Sequence, residues 1–295
     1  MRSAIAALGD GIGPQVLEQC QALFQAEQWR MAQASAPLAA DVQYGPHERH
    51  QLDLYAPQGA TAGALAPVFV WVHGGGFSRG EKNSQTHPFN AHVGRWIAGH
   101  GFLGVVINYR LAPEHRWPSG GEDVALAIDW LKTNVARFGG DPQRIVLGGT
   151  SAGSVHNATY MQLRPQANEI CGLVLLSGLY GLTWFESRER EYFGDDPQLQ
   201  ASFRPCGAIA DSSLPLFVAC AQFDPRRFQT EALGLLRAVL DARGKLPHAY
   251  VASGHNHYTL AMHLGTADTR LADEIVAFAT QCVSLRGEAV ASRST

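Results

Sequence analysis

Residues 145–153 read IVLGGTSAG, an apolar run that ends in the pattern Gly-x-Ser-x-Gly at Gly149, Ser151 and Gly153. The run predicts a strand, and the SVHNATYM that follows predicts a helix, so the serine stands in a sharp turn between the two. Small residues two places to either side let the strand and the helix approach each other there. The pattern also arises by chance in glycine-rich chains, and this one has 31 glycines. Taken alone, the stretch leaves a reactive Ser151 and a chance match both open.

The rest of the chain alternates apolar, β-branched runs with stretches of helical periodicity. The runs predict strands over residues 68–72, 103–108, 145–148, 173–176, 216–221 and 248–252. Most are apolar nearly throughout, as expected of parallel strands that are covered on both faces. Residues 41–44 and 51–55 alternate more strictly and predict an antiparallel pair at the sheet edge. The predicted fold class is therefore α/β, with a mostly parallel eight-stranded sheet and helices on both of its faces.

Two segments fall outside this alternation. Residues 1–40 are helical in pattern, and residues 181–212 are rich in arginine, glutamate, proline and aromatic residues. Both segments are candidates for a small cap over the site. We find no linker or internal repeat that would mark a second domain, so residues 1–295 are expected to form a single domain. In this interpretation residues 1–40 are an N-terminal cap or extension, and residues 181–212 are a possible cap insertion.

Composition and charge argue against several classes of protein. Hydrophobic residues make up 46% of the chain and charged residues 17%, as in a globular protein with a sizeable core. A formal net charge of −3 gives no electrostatic reason to expect nucleic acid or an anionic membrane surface as a partner. No apolar run reaches transmembrane length, and Gly9 and Asp10 interrupt the N-terminal apolar run before it reaches signal-peptide length. A cytoplasmic location is therefore expected.

The cysteines support the same expectation. They are odd in number, far apart, and never in the paired spacing of a zinc site, which favours a reducing compartment and argues against a metal centre. They are Cys20, Cys171, Cys206, Cys220 and Cys282.

A second glycine-rich motif, HGGG at residues 73–76, directly follows the predicted strand VFVWV. Backbone N–H groups with no side chains in the way are well suited to hold an oxyanion. We therefore predict that Gly75, Gly76 and the amide of Ala152, at the start of the predicted helix, form an oxyanion hole. The alternatives are a plain glycine-rich turn and a phosphate-binding loop, and the second lacks the lysine that such a loop requires.

HGGG ahead of Gly-x-Ser-x-Gly, together with NYRLAPEHRWP at residues 108–118, carries a family resemblance. The chain resembles the hormone-sensitive-lipase-like and carboxylesterase branch of the α/β-hydrolases over residues 40–280, and is also similar to bacterial feruloyl esterases and kynurenine formamidases. The resemblance implies the α/β-hydrolase fold and hydrolysis of a carboxylic ester through an acyl-enzyme on Ser151. Amide or formamide hydrolysis stays open because it passes through the same oxyanion. A non-catalytic binding protein on this fold is the remaining alternative.

The resemblance also implies an acid and a base, in the chain order Ser, Asp, His, each after a later strand. Asp224 directly follows the apolar run in LFVACAQFDP and is similar to the acid position of the family. SGHNHYTL offers two histidines as the base, His255 and His257. Gly254, His257 and Tyr258 match the family's register of glycine, two variable residues, histidine and an aromatic residue, which favours His257. A His-x-His pair is also a metal-ligand pattern, but no Asp or Cys cluster accompanies it.

Aromatic side chains near the motifs are candidates for an apolar acyl or alcohol pocket, although each has an equally good explanation as a core or cap residue. They are Phe77, Trp184, Phe185, Phe223 and Tyr258. His156, in the helix after the serine, is expected to pack beneath the site. No metal and no cofactor are expected, because the protein supplies nucleophile, base, acid and oxyanion donors. The expected partner is a small-molecule ester, without nucleic acid or stable membrane association, and the protein is expected to be a monomer or a homodimer.

Overall fold

One sheet of eight strands organises the part of the chain that the computed structural model describes, residues 1–59, 63–166 and 168–291. Its order is β1-β2-β4-β3-β5-β6-β7-β8. The first two strands are antiparallel to each other, β2 is antiparallel to β4, and all later neighbours are parallel. The strands are β1 (Ala39–Gln43), β2 (Gln51–Tyr55), β3 (Ala66–Val72), β4 (Leu103–Ile107), β5 (Gly140–Thr150), β6 (Gly172–Leu176), β7 (Leu216–Phe223) and β8 (His248–Asn256).

Helices cover both faces of this sheet. In chain order they are α1 (Arg2–Leu8), α2 (Pro14–Ala34), α3 (Ala91–Ala98), α4 (Ser119–Asn134), α5 (Ala152–Leu163), α6 (Ser187–Phe193), α7 (Pro197–Ser202), α8 (Pro205–Asp211), α9 (Arg226–Arg243), α10 (Thr259–Met262) and α11 (Arg270–Ala291). None of them, over the residues described, is both long and apolar enough to cross a membrane.

The alternation of side chains along each strand divides the core into two layers. Val68, Val70 and Val72 of β3 pack in the layer that α4, α5, α8 and α9 cover. Phe69 and Trp71, between them in sequence, pack in the layer that α3 and α11 cover. Both faces of the central strands are thus buried, which explains why these strands are apolar nearly throughout. The predicted α/β architecture and its antiparallel edge pair are confirmed.

The two segments outside the strand–helix alternation are both largely helical in the structure. Residues 1–40 contribute α1 and α2, and residues 181–212 contribute α6, α7 and α8. The buried side chain of Gln28, on α2, donates to the carbonyl oxygens of Met262 and Leu264, each at 2.9 Å. These bonds fasten α2 to α10, which directly follows the last strand of the sheet.

Candidate active site

Ser151 occupies a strained turn between β5 and α5. Its backbone lies at φ 53° and ψ −120°, a region that residues with a side chain rarely adopt. The N–H of Ser151 donates to the carbonyl oxygen of Leu176 at 2.9 Å, which ties the turn to the neighbouring strand. A Cβ on Gly153 would collide with the carbonyl oxygen of Val72, and one on Gly149 would lie 2.9 Å from the carbonyl carbon of Gly153. Gly149 is therefore needed for β5 and α5 to approach each other, and Gly153 for α5 to approach the end of β3.

Three predicted residues form one chain of hydrogen bonds at this turn. His257 Nε2 lies 2.9 Å from Ser151 Oγ, and His257 Nδ1 lies 2.7 Å from Asp224 Oδ1. Because a carboxylate can only accept, the Nδ1–H of His257 is the donor to Asp224, which leaves Nε2 as the acceptor for the serine hydroxyl. Asp224 follows β7 and His257 follows β8, so parallel strands deliver all three side chains to one edge of the sheet.

The carboxylate of Asp224 is held from its other side as well. Its Oδ2 accepts the hydroxyl of Ser177 at 2.5 Å and the N–H of Ala221 at 2.6 Å. The sequence analysis missed Ser177. It is a polar residue directly after the apolar strand β6, and that position at the carboxyl edge was the available signal. The two bonds fix the orientation of the carboxylate toward His257.

His255 lies away from Ser151. Its Nδ1 is 3.3 Å from the Thr259 hydroxyl, and its ring stacks on His263 at 3.8 Å. Its Nε2 lies 3.5 Å from Asp268 Oδ2. The side chain is buried and does not line the cavity at the serine. Of the two histidines in SGHNHYTL, the structure brings His257 to the serine.

The HGGG loop lies beside Ser151, where Gly75, Gly76 and Ala152 line the same cavity as the serine. Gly75 has a φ of 141°, and a Cβ there would collide with the carbonyl oxygen of Arg79, so only glycine fits. Ala152 is the first residue of α5, and its N–H therefore has no acceptor within the helix. This arrangement offers backbone donors for an anion next to the serine hydroxyl.

A cavity of about 860 Å³ opens on Ser151 and His257. The segment 1–40 contributes Asp10, Ile12, Leu17 and Gln21 to its wall, and the segment 181–212 contributes Thr183, Glu186, Ser187 and Glu189. The formal charges of the lining balance, because three carboxylates face three guanidinium groups: Asp10, Glu186 and Glu189 against Arg79, Arg226 and Arg227. A cavity without net charge suits a neutral ligand.

Three of the five predicted pocket residues lie outside the cavity in the structure. Phe77 and Tyr258 line the cavity, whereas Trp184 and Phe223 do not. Trp184 precedes α6 and points into solvent, with 93% of its surface exposed. Phe223 packs instead against the apolar cluster around α1 and α2. Phe185 does not line the cavity either. Its ring stacks on that of Phe193 in α6, with the ring centroids 4.0 Å apart.

Helix α9 supplies contacts that the sequence analysis missed. The ring of Phe228 lies 4.3 Å from the His257 ring and lines the cavity. The buried carboxylate of Glu231 accepts the N–H groups of Tyr180 and Thr183, each at 2.7 Å. One turn earlier on α9, Arg227 lies next to the cap helix α6, where its Nη1 donates to Glu189 Oε2 at 2.7 Å. Together these contacts hold the segment that begins at residue 180 over the site.

Three buried histidines surround the site without contacting the serine. Burial lowers the pKa of His73 and of His92 to about 4 and that of His156 to about 3. As predicted, His156 packs beneath the site, with its ring 5.6 Å from that of Phe77. All three imidazoles are therefore neutral in the folded protein at neutral pH.

We expect acidification to destabilise the fold below a pH of about 6.5. An unfolded histidine takes up a proton near that pH, whereas these three do so only near pH 3 to 4, so the unfolded state binds more protons in between. Each such histidine lowers the free energy of unfolding by about 1.4 kcal/mol per pH unit over this range. Urea unfolding midpoints measured from pH 7 to pH 5 test this.

A matched pair of variants assigns the effect. His92→Gln is expected to reduce the pH slope, because it removes one of the buried imidazoles. The exposed His100, which follows the same helix, serves as the control, and His100→Gln is expected to leave the slope unchanged. A midpoint that does not change between pH 7 and pH 5 contradicts the prediction.

Comparison with known proteins adds to this geometry. The model of the BD-FAE family matches residues 52–220, which is more than half of the chain. The chain belongs to the BD-FAE family. The matched residues of this BD-FAE chain run from β2 to β7 and include the HGGG loop and the Ser151 turn.

Relatives of this BD-FAE chain include two proteins of Mycobacterium tuberculosis. Esterase LipQ (strain H37Rv) is 27% identical over 265 residues, an alignment that covers 82% of this chain and 61% of LipQ. Carboxylesterase NlhH (strain CDC 1551) is 38% identical over 119 residues, covering 40% of this chain and 34% of NlhH. The alignments thus span less than two thirds of the length of either relative.

Solved structures similar to this BD-FAE chain share its fold. The hyperthermophilic esterase from the archaeon Pyrobaculum calidifontis has a TM-score of 0.70 and 23% identity, covering 90% of this chain and 94% of that one. EstE1, a thermostable carboxylesterase from a metagenomic library, has a TM-score of 0.65 and 20% identity, covering 91% and 97%. The resemblance to the esterase branch of the α/β-hydrolases, and the fold it implied, are confirmed.

Proposed function

We propose that this chain is a serine hydrolase that cleaves carboxylic esters, with Ser151 as nucleophile, His257 as base and Asp224 as acid. The observation that carries the proposal is the pair of hydrogen bonds along these residues, 2.9 Å from Ser151 Oγ to His257 Nε2 and 2.7 Å from His257 Nδ1 to Asp224 Oδ1. The names of the relatives LipQ and NlhH, esterase and carboxylesterase, support the choice of ester.

In this mechanism Ser151 Oγ attacks the ester carbonyl carbon while His257 Nε2 takes the hydroxyl proton. The tetrahedral oxyanion accepts hydrogen bonds from the N–H groups of Gly75, Gly76 and Ala152. The carbon–oxygen bond to the alcohol then breaks, the alcohol leaves with the proton from His257, and the acyl group stays on Ser151. Water then attacks the acyl carbon while His257 takes its proton; the carbon–oxygen bond to Ser151 breaks, His257 returns the proton to Ser151 Oγ, and the acid is released. Asp224 stabilises the imidazolium in both halves of the reaction.

The substrate that fits best is a neutral, small to medium ester. The cavity of about 860 Å³ exceeds the space that the reacting groups need, and its formal charges balance. Phe77, Tyr258 and Phe228 give its wall apolar surface near the reacting bond. Residues 1–40 and 181–212 act as the cap of one domain that comprises residues 1–295, because both segments line this cavity. In this mechanism the nucleophile, the base, the acid and the oxyanion donors are all groups of the protein, and the substrate and water are the other reactants.

The cysteine side chains bear on the cellular compartment in which the protein works. All five cysteines lie within the described residues, and each is buried and unpaired. Burial raises the pKa of the Cys171, Cys206 and Cys220 thiols to about 11, so they stay protonated and unreactive. Such a set supports work in the reducing cytoplasm. A monomer or homodimer without nucleic-acid partners stays the prediction for its assembly.

Covalent labelling tests the proposed function. A fluorophosphonate is expected to modify one residue, Ser151, and hydrolysis of 4-nitrophenyl butyrate should fall in proportion to the labelled fraction, because one hydroxyl serves both reactions. Peptide mapping by mass spectrometry locates the label. Full ester turnover by quantitatively labelled protein would rule the mechanism out.

A matched ester and amide separate the two candidate bonds. Ethyl butyrate and N-ethylbutyramide differ in the atom that leaves, and we expect turnover of the ester only. N-Formylkynurenine extends the comparison to formamides. Faster cleavage of the formamide than of any ester in the panel would favour the formamidase alternative.

A further inference from the structure

The residue directly after the HGGG loop packs against the cap. Phe77, directly after HGGG, has a φ of 70°, an unfavourable conformation for a residue with a side chain. Its buried ring lies parallel to that of Tyr192, with ring centroids 4.5 Å apart. Tyr192 belongs to α6, in the segment outside the sheet. A strained backbone persists only where its surroundings hold it, and Tyr192 provides the contact face.

The first residue of the loop rests on the same group of rings. His73 stacks on Tyr109 at 4.4 Å, and the Tyr109 hydroxyl donates to the carbonyl oxygen of His73 at 2.9 Å. Tyr109 in turn packs against the edge of His156 at 4.3 Å, and the rings of His156 and Tyr192 lie 5.3 Å apart. We refer to His73, Phe77, Tyr109, His156 and Tyr192 as the support cluster.

The hydroxyl of Tyr192 fixes the cap to this cluster. It accepts the N–H of Gly120 at 3.0 Å and lies 3.3 Å from His156 Nδ1, a fitting position for donating its proton. The backbone carbonyl of Tyr192 accepts the N–H of Trp117 at 2.9 Å. No part of the Tyr192 side chain is exposed. Tyr192 therefore has one defined position between the cap helix, α4 and the loop.

We propose that Tyr192 is a positioning residue for the oxyanion hole, so that the cap helix α6 supports catalysis as well as enclosing the substrate. The inference rests on the proposed function. Three consecutive glycines carry no side chains that could fix their own backbone, and an oxyanion hole is effective only when its donors are held in place beforehand. The support cluster supplies that restraint at both ends of the loop, and Tyr192 links it to α6. Displacement of α6 thus loosens the donors.

Two substitutions and a control test the role. Tyr192→Leu removes both the stack and the hydroxyl, and we expect kcat for 4-nitrophenyl butyrate to fall about 100-fold, at the lower end of the loss for a deleted oxyanion donor. Tyr192→Phe keeps the stack, and a fall of about fivefold is expected. KM should stay within about threefold of the wild type, because positioned donors act mainly on the transition state. The control is Tyr160→Phe, a buried tyrosine on α5 whose hydroxyl contacts Glu169 instead, with kcat unchanged.

A ketone pair separates positioning from a general loss of structure. A trifluoromethyl ketone adds Ser151 Oγ to its carbonyl carbon and forms an oxyanion as the proton passes to His257, whereas the matching methyl ketone binds without addition. Tyr192→Leu should weaken the first inhibitor about 100-fold and the second less than threefold. Equal weakening of both, or a kcat within twofold of the wild type in the folded variant, would overturn the proposal. If the leucine variant does not fold, Tyr192→Phe decides: it should weaken the trifluoromethyl ketone about fivefold and the methyl ketone less than twofold, and equal weakening of both would overturn the proposal.

The rate constant of phosphonate labelling makes the two proposals separable. In that reaction Ser151 Oγ bonds to phosphorus, fluoride leaves, and the serine proton passes to His257. The phosphoryl oxygen uses the same donors, so a slower labelling rate in Tyr192→Leu supports the positioning role even where no ester is turned over. An unchanged labelling rate overturns it. Absent ester turnover in the wild type counts against the proposed function alone.

Discussion

Replacing His257 by alanine is expected to lower kcat about 10⁶-fold, the scale found when the base of a serine hydrolase is removed. The imidazole is the group within 2.9 Å of Ser151 Oγ that can accept its proton. Without it the serine stays a weak nucleophile, and no group protonates the leaving alcohol. Initial rates on 4-nitrophenyl butyrate, measured at high enzyme concentration, give the residual activity.

His255 is the matched control for this result. It lies two residues away and is also buried, but it packs on His263 and away from the serine. His255→Gln is expected to keep kcat within about threefold of the wild type, while its melting temperature reports any loss of packing. An inactive but folded His255→Gln variant, beside an active His257→Ala variant, would reverse the assignment of the base.

Asp224→Asn is expected to lower kcat about 10⁴-fold, because the asparagine selects the wrong tautomer of His257. Ala221 N–H and the Ser177 hydroxyl both donate to Oδ2 of Asp224, so the amide oxygen of an asparagine would occupy that position. Its NH₂ group would then face His257 Nδ1 and force that nitrogen to accept. The remaining proton would sit on Nε2, pointing at Ser151 Oγ, where a proton acceptor is needed.

Two companion measurements check this argument. Ser177→Ala removes one of the two donors to Oδ2, and we expect a loss of about tenfold in the wild-type background, since the Ala221 amide still orients the carboxylate. In Asp224→Asn the fluorophosphonate labelling rate should fall with kcat, because both need Ser151 deprotonated. If Asp224→Asn keeps more than a tenth of the wild-type kcat, the carboxylate of Asp224 does not set the tautomer of His257.

The sheet was predictable because its strands are buried on both faces. Each central strand is a nearly continuous apolar run, and such runs are visible without knowledge of neighbours. Strand β5 begins at Gly140 rather than at the predicted residue 145, because its first residues, DPQR, are polar and carry no such signal. At this end only Gly140 pairs, opposite Ala66; the register then shifts, and regular pairing resumes at Ile145 opposite Val68.

The site was predictable where one short motif fixes both residue and backbone. Gly-x-Ser-x-Gly and HGGG require particular turns, and Ser151 and Gly75 are found in such turns. The choice between His255 and His257 could not be made from periodicity, because two residues apart in a strand they share a face. Strand β8 ends at Asn256, so the alternation stops between the two histidines. The resemblance to a family favoured His257, and this is the histidine that the structure brings to Ser151.

Side-chain directions in the cap could not be predicted. Trp184 and Phe185 are adjacent aromatic residues, yet one is exposed and the other packs on α6, because the local fold of this segment depends on contacts with α9. Tyr192 does not belong to any sequence motif that was recognised. Its place beneath the HGGG loop depends on residues about 115 positions earlier, and no local pattern reports a contact at that separation.

The attachment of α2 through Gln28 has a consequence for how the proposed substrate preference can change. This helix supplies Leu17 and Gln21 to the cavity wall, and its fastening point lies on the carbonyls of Met262 and Leu264. Helix α6, by contrast, reaches the HGGG loop through Tyr192. With the proposed function, we expect mutations in α2 to alter the preferred ester at little cost in kcat, and mutations in α6 that displace Tyr192 to lower kcat. Libraries for engineering selectivity belong in α2.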